Sequence, residues 1–376
     1  MPGDRRILFA NSIYHLTNDG AVTVLAGQIA VLQAVFGGFG PIEVALLGGS
    51  ALLVTAVFQF LFGIMADRRD PSRFLPAGIA ILGLGSLLVT LSSSFWTLLV
   101  FVALSRIGAS FYHPVGISWI GREYEGPDLD RSMGFPSAFG DTGVIIGMAS
   151  GAVLAVALGW RSPFFLWGGI NLAAVALGLY LVRGRRYRPE PSRSSVADYV
   201  RVLRDVRLWL LPLALGGAVY NIVSYFGPLL LVTKFSLAKD AAGVAVALWI
   251  LAGAVAAFFF GRVSRRFGRY RTLLASYAGV GLAGLIGGLL DNLVLVIAIL
   301  WTLGSALFLT YPGIFAFVSE SSHRRLQGAG TTPAVQASIP FVVAGVLGLA
   351  GFVALFLGRS RVTNARKPVP STVPPL

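Results

Sequence analysis

Five ionisable side chains lie well inside apolar stretches of this sequence: His15, Asp19, Arg106, His113 and Asp141. His15 and Asp19 are four residues apart, so a helix would place them on one face. Arg106 and His113 share a second apolar stretch, which also contains Pro114. Because an ionisable group is costly at membrane depth unless it faces a cavity or a partner, this pattern predicts a polar site inside an apolar protein.

The chemistry of this site has more than one interpretation. The expected depths of Asp19 and Arg106 permit an ion pair across a cavity, which would either carry protons or simply fix the packing of two helices. Arg106 equally suggests an anionic group on a substrate. His113 would either carry protons or bond a backbone carbonyl that is freed by Pro114.

The elements that must position these residues are membrane helices. Of 376 residues, 56% are hydrophobic and only 12% charged, with a mean hydropathy of +0.77. A soluble domain would be about one quarter charged. The sequence therefore predicts an all-α polytopic membrane protein. The predicted spans are 8–36, 42–66, 74–93, 95–120, 134–160, 162–183, 208–233, 241–260, 272–290, 292–318 and 339–358.

The basic residues are distributed unevenly between the two sets of loops. With the N-terminus in the cytoplasm, all of the 30 Lys and Arg residues fall on that side except Arg106, Arg161, Lys234 and Lys239. This asymmetry predicts a cytoplasmic N-terminus in the inner or plasma membrane. It also accounts for the net charge of +14, so no nucleic-acid partner is expected. The absence of cysteine excludes thiolate metal sites, and no metal-ligating residue, cofactor or enzymatic activity is predicted.

The chain divides into two halves. Residues 1–183 are predicted to form an N-terminal six-helix bundle, and residues 208–358 a C-terminal bundle. Residues 184–207 join them in the cytoplasm, either as an amphipathic helix on the membrane surface or as a solvated linker. Residues 359–376 form a basic tail, which is expected to be cytoplasmic.

The two halves are an internal repeat. "FYHPVG" aligns with "LTYPGI", which pairs Pro114 with Pro312 at an offset of 198 residues. Pro163 pairs with Pro340 at an offset of only 177, so the second half is 198 − 177 = 21 residues short. The missing length falls on the eleventh helix, where "GAGTTPAVQAS" would rise only about 16 Å and could not cross a core about 30 Å thick. We therefore predict a truncated eleventh helix.

One cytoplasmic loop carries a family motif. Gly63, Asp67, Arg68 and Arg73 resemble the Gly-x-x-x-Asp-Arg-x-Gly-Arg-Arg loop of the major facilitator superfamily, with Asp70-Pro71 in place of the second glycine. The resemblance implies two six-helix halves repeated in parallel and a small-molecule substrate. It also implies that this loop is a conformational latch. Asp141 is predicted to pair with the Arg68/Arg69 part of the latch, rather than to contact substrate.

Two shorter motifs suggest a branch of that family. "YHLTND" and "YHPVG", which contain Tyr14 and Tyr112, resemble segments of fosmidomycin-resistance-like exporters. Both tyrosines are therefore candidates for the substrate or proton site, beside His15 and His113. Arg106 followed by Gly108 resembles the helix-4 element of drug–proton antiporters, although the spacing is shorter.

The remaining candidates are glycines and neutral hydrogen-bonding residues. Gly143, Gly147 and Gly151 repeat every four residues and predict close packing of the fifth helix. In the C-terminal half, Asn221, Tyr225 and Tyr311 would either orient a substrate against the charged N-terminal half or serve in packing.

These features together predict a monomeric secondary transporter in the lipid bilayer. It would export a small organic or amphiphilic compound, with an anionic group as one option, in exchange for protons. The alternatives are uptake or facilitated transport of a small solute, and a receptor or scaffold with the same fold. No nucleophile-and-base arrangement or phosphate loop lies in the spans, which disfavours an enzyme.

Overall fold

The computed structural model describes residues 4–37, 39–66, 69–124, 126–184 and 196–326, and these residues form helices without any strand. The N-terminal half contains α1 (Arg5–Gly27), α2 (Ile29–Val35), α3 (Pro41–Ala66), α4 (Pro71–Val89), α5 (Phe95–Ala109), a π-helical turn (Tyr112–Gly116), α6 (Ile117–Glu123), α7 (Gly126–Leu158) and α8 (Ser162–Leu181). The C-terminal half contains α9 (Val196–Phe235), α10 (Lys239–Phe258), α11 (Phe260–Phe267), α12 (Arg269–Leu289) and α13 (Leu293–Leu326).

Nine helical stretches in the described part of the chain are long and apolar enough to cross a membrane. They are Pro41–Ala66, Pro71–Val89, Phe95–Glu123, Gly134–Leu158, Ser162–Leu181, Leu215–Phe235, Lys239–Phe258, Arg269–Leu289 and Leu293–Ile314. An all-α polytopic membrane protein is thereby confirmed. The predicted span at 339–358, the truncated eleventh helix and the tail lie outside the described residues.

The first helix does not meet the same apolar criterion, although it is long enough to span. Its centre carries Asn11, His15, Thr17 and Asn18, and all four of these side chains are buried. A helix with this many buried polar groups requires partners inside the protein, because lipid offers none. α1 is accordingly enclosed by other helices.

Two helix boundaries differ from the predicted ones. The predicted first span at 8–36 is interrupted at Gln28, which separates α1 from the short α2. The predicted amphipathic helix of the linker is not a separate element in its described part, because residues 196–207 are continuous with the seventh span in α9. Neither Pro212 nor Pro228 ends α9, since both lie inside it.

Glycines on α7 bring its backbone against that of α1. A Cβ added at Gly143 would collide with the carbonyl of Leu16, and one at Gly147 with the carbonyl of Gly20. At Gly151, the added Cβ would lie 2.6 Å from the carbonyl oxygen of Val24. These three positions, four residues apart, therefore hold the two backbones close together over more than two helical turns.

The two halves approach each other closely near the C-terminal end of α1. A Cβ added at Gly243 on α10 would collide with Ala152 of α7 and lie 2.5 Å from the carbonyl oxygen of Gly27. Further along the interface, the ring of Tyr225 on α9 would lie 3.1 Å from a Cβ added at Gly48 on α3. Gly243 and Gly48 thus permit close contact between the halves at these two places.

Candidate functional site

Three of the predicted ionisable residues meet on α1 and the π-helical turn. His15 Nε2 lies 3.1 Å from Asp19 Oδ2, and His113 Nε2 lies 3.9 Å from Asp19 Oδ1. The side chains of His15, Asp19 and His113 are 11%, 17% and 20% exposed, so the cluster is enclosed but not sealed. Asn18 Nδ2 donates a 2.9 Å hydrogen bond to Asp19 Oδ1.

The orientation of His15 is set by α7 and by Tyr112. His15 Nδ1 lies 2.8 Å from the carbonyl oxygen of Pro136, and its ring stacks on Tyr112 with 4.0 Å between centroids. A Cβ added at Gly140 would lie 2.5 Å from the His15 ring, so glycine is required for this approach. These contacts fix the imidazole from both sides.

The contact with Pro136 determines where the His15 hydrogen lies. A carbonyl oxygen can only accept, so His15 Nδ1 must carry the hydrogen. The contact between His15 Nε2 and Asp19 then holds a single proton, either on the imidazole or on the carboxyl group. The hydrogen-bonded pair of His15 and Asp19 therefore shares one proton, whichever group carries it.

The π-helical turn holds His113 beside this pair. Tyr112 donates its hydroxyl to Asn11 Oδ1 at 2.7 Å, and Asn11 Nδ2 donates to the carbonyl of Gly116 at 2.9 Å. This exchange ties the turn to α1 on both sides of Pro114. π-Helical turns inside helices often occur at functional sites, because they redirect one side chain without ending the helix.

Arg106 lies apart from the histidine cluster. Its Nη2 donates to the carbonyl of Val22 on α1 at 2.8 Å and to the hydroxyl of Tyr225 on α9 at 3.4 Å. The residue is 5% exposed, yet no described carboxylate lies within 4.0 Å of its guanidinium. Arg106 thus brings a buried positive charge to the boundary between the halves, with no carboxylate of the described residues beside it.

The predicted ion pair between Asp19 and Arg106 is absent from the described residues, so that interpretation is wrong for this conformation. Asp19 faces the two histidines instead. Arg106 contacts α1 at Val22, about one helical turn further along. The predicted depths place Asp19 and Arg106 at a similar level in the bilayer. They do not determine the direction in which the two side chains point.

The neutral hydrogen-bonding candidates lie in different surroundings. Tyr225 reaches Arg106, as described, whereas Asn221 donates its amide to the carbonyl of Gly217 within its own helix at 3.0 Å. Tyr311 packs in an aromatic cluster of α9, α10 and α13, where its ring meets Phe308 at 5.8 Å. In the N-terminal half, Tyr14 is buried against Gly178 on α8, not in the histidine cluster.

The predicted latch is described in part. Gly63 is buried in α3, and Arg73 is exposed in the first turn of α4, while Asp67 and Arg68 lie outside the described residues. Asp70 accepts a hydrogen bond from the backbone amide of Ser72 and so caps α4. Asp141 is exposed on α7 and forms no ion pair with Arg69 in the described part of the chain.

The cluster could also hold a metal ion. One ligand atom from each of His15, Asp19 and His113 lies within 4.8 Å of the other two. No such set could be predicted from the sequence, because two of the ligands lie on one helix and the third is about 94 residues away in another. The roles of Pro136, Gly140 and Asn11 were also missed, since a backbone acceptor, a required glycine and a bridging amide carry no chemical signature in sequence.

Comparison with known proteins places these features in context. The family model of the Major Facilitator Superfamily matches residues 8–334. Among curated proteins, the chain is 26% identical over 140 residues to the riboflavin transporter RibZ of Clostridioides difficile. It is also 24% identical over 216 residues to a probable sugar efflux transporter of Helicobacter pylori. These alignments cover 37% and 54% of this chain, but only 29% and 53% of the two relatives.

Solved structures share the same fold. A bacterial homolog of the human lysosomal transporter Spinster, in an inward-facing and unoccupied conformation, matches 96% of this chain and 87% of its own. The TM-score is 0.70 at 16% sequence identity, so the likeness concerns the fold alone.

Proposed function

The chain belongs to the major facilitator superfamily, and from that premise we propose that it exports a small organic compound in exchange for protons, by alternating access. A transporter of small molecules is what the family implies. Export, proton coupling and an anionic group on the compound are the further steps of the proposal. The export direction is supported by the similarity to a probable sugar efflux transporter.

The observation that carries the proposal is the His15–Asp19 pair at 3.1 Å on α1. Because His15 Nδ1 donates to the carbonyl of Pro136, the hydrogen bond between His15 Nε2 and Asp19 needs one proton, carried by the imidazole or by the carboxyl group. A pair that gains or loses this proton changes the charge at the centre of the N-terminal half by one unit. Proton binding would thereby alter the relative stability of two conformations of the transporter.

Arg106 supports an anionic group on the compound. A buried guanidinium has five N–H donors, and the contacts to Val22 and Tyr225 occupy only part of them. A carboxylate, phosphate or sulfonate would supply the counter-charge that the described protein lacks.

The orientation is part of the same proposal. The N-terminus and the basic loops would lie in the cytoplasm, and the protein would work as a monomer in the inner or plasma membrane. Because the sequence contains no cysteine, single-cysteine variants can be labelled without background. Ser93→Cys is expected to react with an impermeant maleimide from outside the cell, and Arg271→Cys only after the membrane is opened.

Transport itself is tested in proteoliposomes with an imposed pH gradient. A thermal-shift screen of the purified protein first selects a compound that binds. Its gradient-driven flux should be lost in Asp19→Asn, because this variant cannot exchange the shared proton. Asp291→Asn, an exposed acidic residue paired with Lys234, is the matched control and should transport normally.

The outcomes separate the candidate functions. Normal gradient-driven flux by Asp19→Asn would exclude coupling through this pair. Flux that ignores the pH gradient in the unaltered protein would identify a facilitator. A protein that binds compounds but transports none of them would identify a receptor or scaffold.

A further inference from the structure

We propose that His15, Asp19 and His113 form a binding site for a divalent transition-metal ion. One ligand atom from each residue lies within 4.8 Å of the other two, with His15 Nε2 at 3.1 Å and His113 Nε2 at 3.9 Å from the carboxylate oxygens. Ligands that bind a tetrahedral ion at about 2.1 Å are about 3.4 Å apart. The 3.1 Å contact fits that geometry. Because the 3.9 Å contact is to the other carboxylate oxygen and the three ligand atoms lie up to 4.8 Å apart, binding an ion requires a movement of up to about 1.4 Å.

The residues around the cluster are arranged as they are around metal ligands. A metal-bound histidine usually donates its other ring N–H to a backbone carbonyl or a carboxylate, which fixes the ring. His15 does so through Nδ1 and the carbonyl of Pro136 at 2.8 Å, so Nε2 can bind an ion once the proton shared with Asp19 has been displaced. Asn18 donates a 2.9 Å hydrogen bond to the carboxylate of Asp19, so His15 and Asp19 each have a supporting hydrogen bond.

Rigid packing keeps the first ligand in place before any ion binds. The ring of His15 is held between Tyr112, at 4.0 Å between centroids, and Gly140 on α7. The carbonyl, the tyrosine ring and the glycine belong to two different helical segments outside α1. Such preorganisation lowers the cost of assembling a site.

The type of ligand selects the class of ion. Two imidazoles and one carboxylate suit Zn²⁺, Co²⁺ and Ni²⁺, whereas Mg²⁺ and Ca²⁺ prefer oxygen ligands throughout. Three protein ligands leave a fourth position of a tetrahedral ion open for water or for a donor atom of a bound compound. The partial exposure of all three side chains provides access to that position.

Metal binding by this cluster does not depend on transport, so it can be measured by binding alone. The purified full-length protein, freed of any histidine tag, is titrated with ZnCl₂ by calorimetry and with CoCl₂ by visible absorption. We expect one equivalent of either ion to bind and Co²⁺ to give the intense visible bands of a four-coordinate site. MgCl₂ should give no binding at the same concentrations.

Variants identify the ligands. His113→Gln should weaken Zn²⁺ binding by more than about 100-fold, because changes even in the residues behind metal ligands cost about 10- to 100-fold. The matched control is His323→Gln, which removes the third histidine of the chain and should retain the affinity. Equal affinity in His113→Gln and the unaltered protein, or loss of binding in His323→Gln, would overturn the proposal.

A second pair of variants leaves all three ligands in place. Gly140→Ala adds a methyl group against the His15 ring and should weaken Zn²⁺ binding by about 10- to 100-fold. Gly134→Ala makes the same change on the same helix where nothing lies within 4 Å, and it should bind Zn²⁺ normally. Thermal unfolding without metal verifies that each variant is folded. Equal Zn²⁺ affinity in a folded Gly140→Ala protein would count against the site.

Discussion

The two halves of the molecule use equivalent positions for different purposes. At the repeat offset, Arg106 of the N-terminal half corresponds to Gly304 of the C-terminal half. Arg106 extends to α1 and α9, whereas a Cβ added at Gly304 would collide with the carbonyl of Trp249 on α10. In the C-terminal half, the glycine at this position therefore permits close helix packing. In the N-terminal half, the arginine at the same position supplies a positive charge.

The next equivalent pair shows the same division. His113 lies beside Asp19 in the polar cluster, whereas Tyr311 lies in an aromatic cluster with Phe308. Both residues precede a proline, Pro114 or Pro312, at the same point of the repeat. Both halves thus contain the proline, whereas only the N-terminal half has a histidine before it. Substitutions at equivalent positions of the repeat test this division of roles between the halves.

The largest effect is expected at the packing position of the C-terminal half. Gly304→Ala would push α13 away from the backbone of α10 and destabilise the protein by about 3 kcal/mol. Thermal unfolding in detergent measures this change. Gly281→Ala on α12 is the control, because nothing lies within 4 Å of an added Cβ there. Equal stability of the two variants would refute the packing role of Gly304.

At the equivalent position of the N-terminal half, we expect a loss of binding instead. Arg106→Gln should lower the affinity for an anionic compound by about 10- to 100-fold, because a hydrogen bond to a charged group contributes about 1.5–3 kcal/mol. Arg106→Lys should retain part of the affinity, since it keeps the charge. Calorimetry with a carboxylate compound and its neutral amide tests this. If both compounds lose affinity equally in Arg106→Gln, the charge of the compound is not what Arg106 recognises.

A smaller effect is expected in the loop before the ninth predicted span. Gly268 has a φ of 84°, in the region that favours glycine, so Gly268→Ala should cost about 1–2 kcal/mol of stability. Gly261→Ala, in the same basic segment, is the control because an added Cβ would be 3.7 Å from its nearest neighbour, Arg265. A Gly268→Ala variant as stable as Gly261→Ala would contradict this expectation.

The smallest effect is expected at the equivalent loop of the N-terminal half. Asp70 occupies the position of Gly268 but caps α4 through the amide of Ser72 at 2.9 Å. Asp70→Ala should therefore destabilise the protein by about 1 kcal/mol. Asp70→Asn should be nearly neutral, because asparagine caps helices as well as aspartate does. An Asn variant as unstable as the Ala variant would point to the charge of Asp70 rather than its cap.

Much of the architecture follows from the sequence. Apolar runs and the repeat predicted the helices. A helix in lipid must form all of its backbone hydrogen bonds internally and can carry few polar side chains. The exception, α1, has buried polar residues that lower its hydropathy, yet the i, i+4 spacing of His15 and Asp19 correctly predicted that the two side chains share one face. The continuity of α9 past residue 207 was not predicted, because an amphipathic pattern does not reveal whether a helix ends.

The fold class, the repeat and the identity of the ionisable residues could all be predicted from the amino-acid pattern. Their partners were decided by tertiary structure. Asp19 faces His15 and His113 instead of Arg106, and Arg106 faces Val22 and Tyr225. The physical reason is that composition and periodicity fix the depth and face of a residue on its own helix. Which neighbour it meets depends on the rotation and spacing of helices, and in α1 and α7 these are set by glycines that allow two backbones to touch.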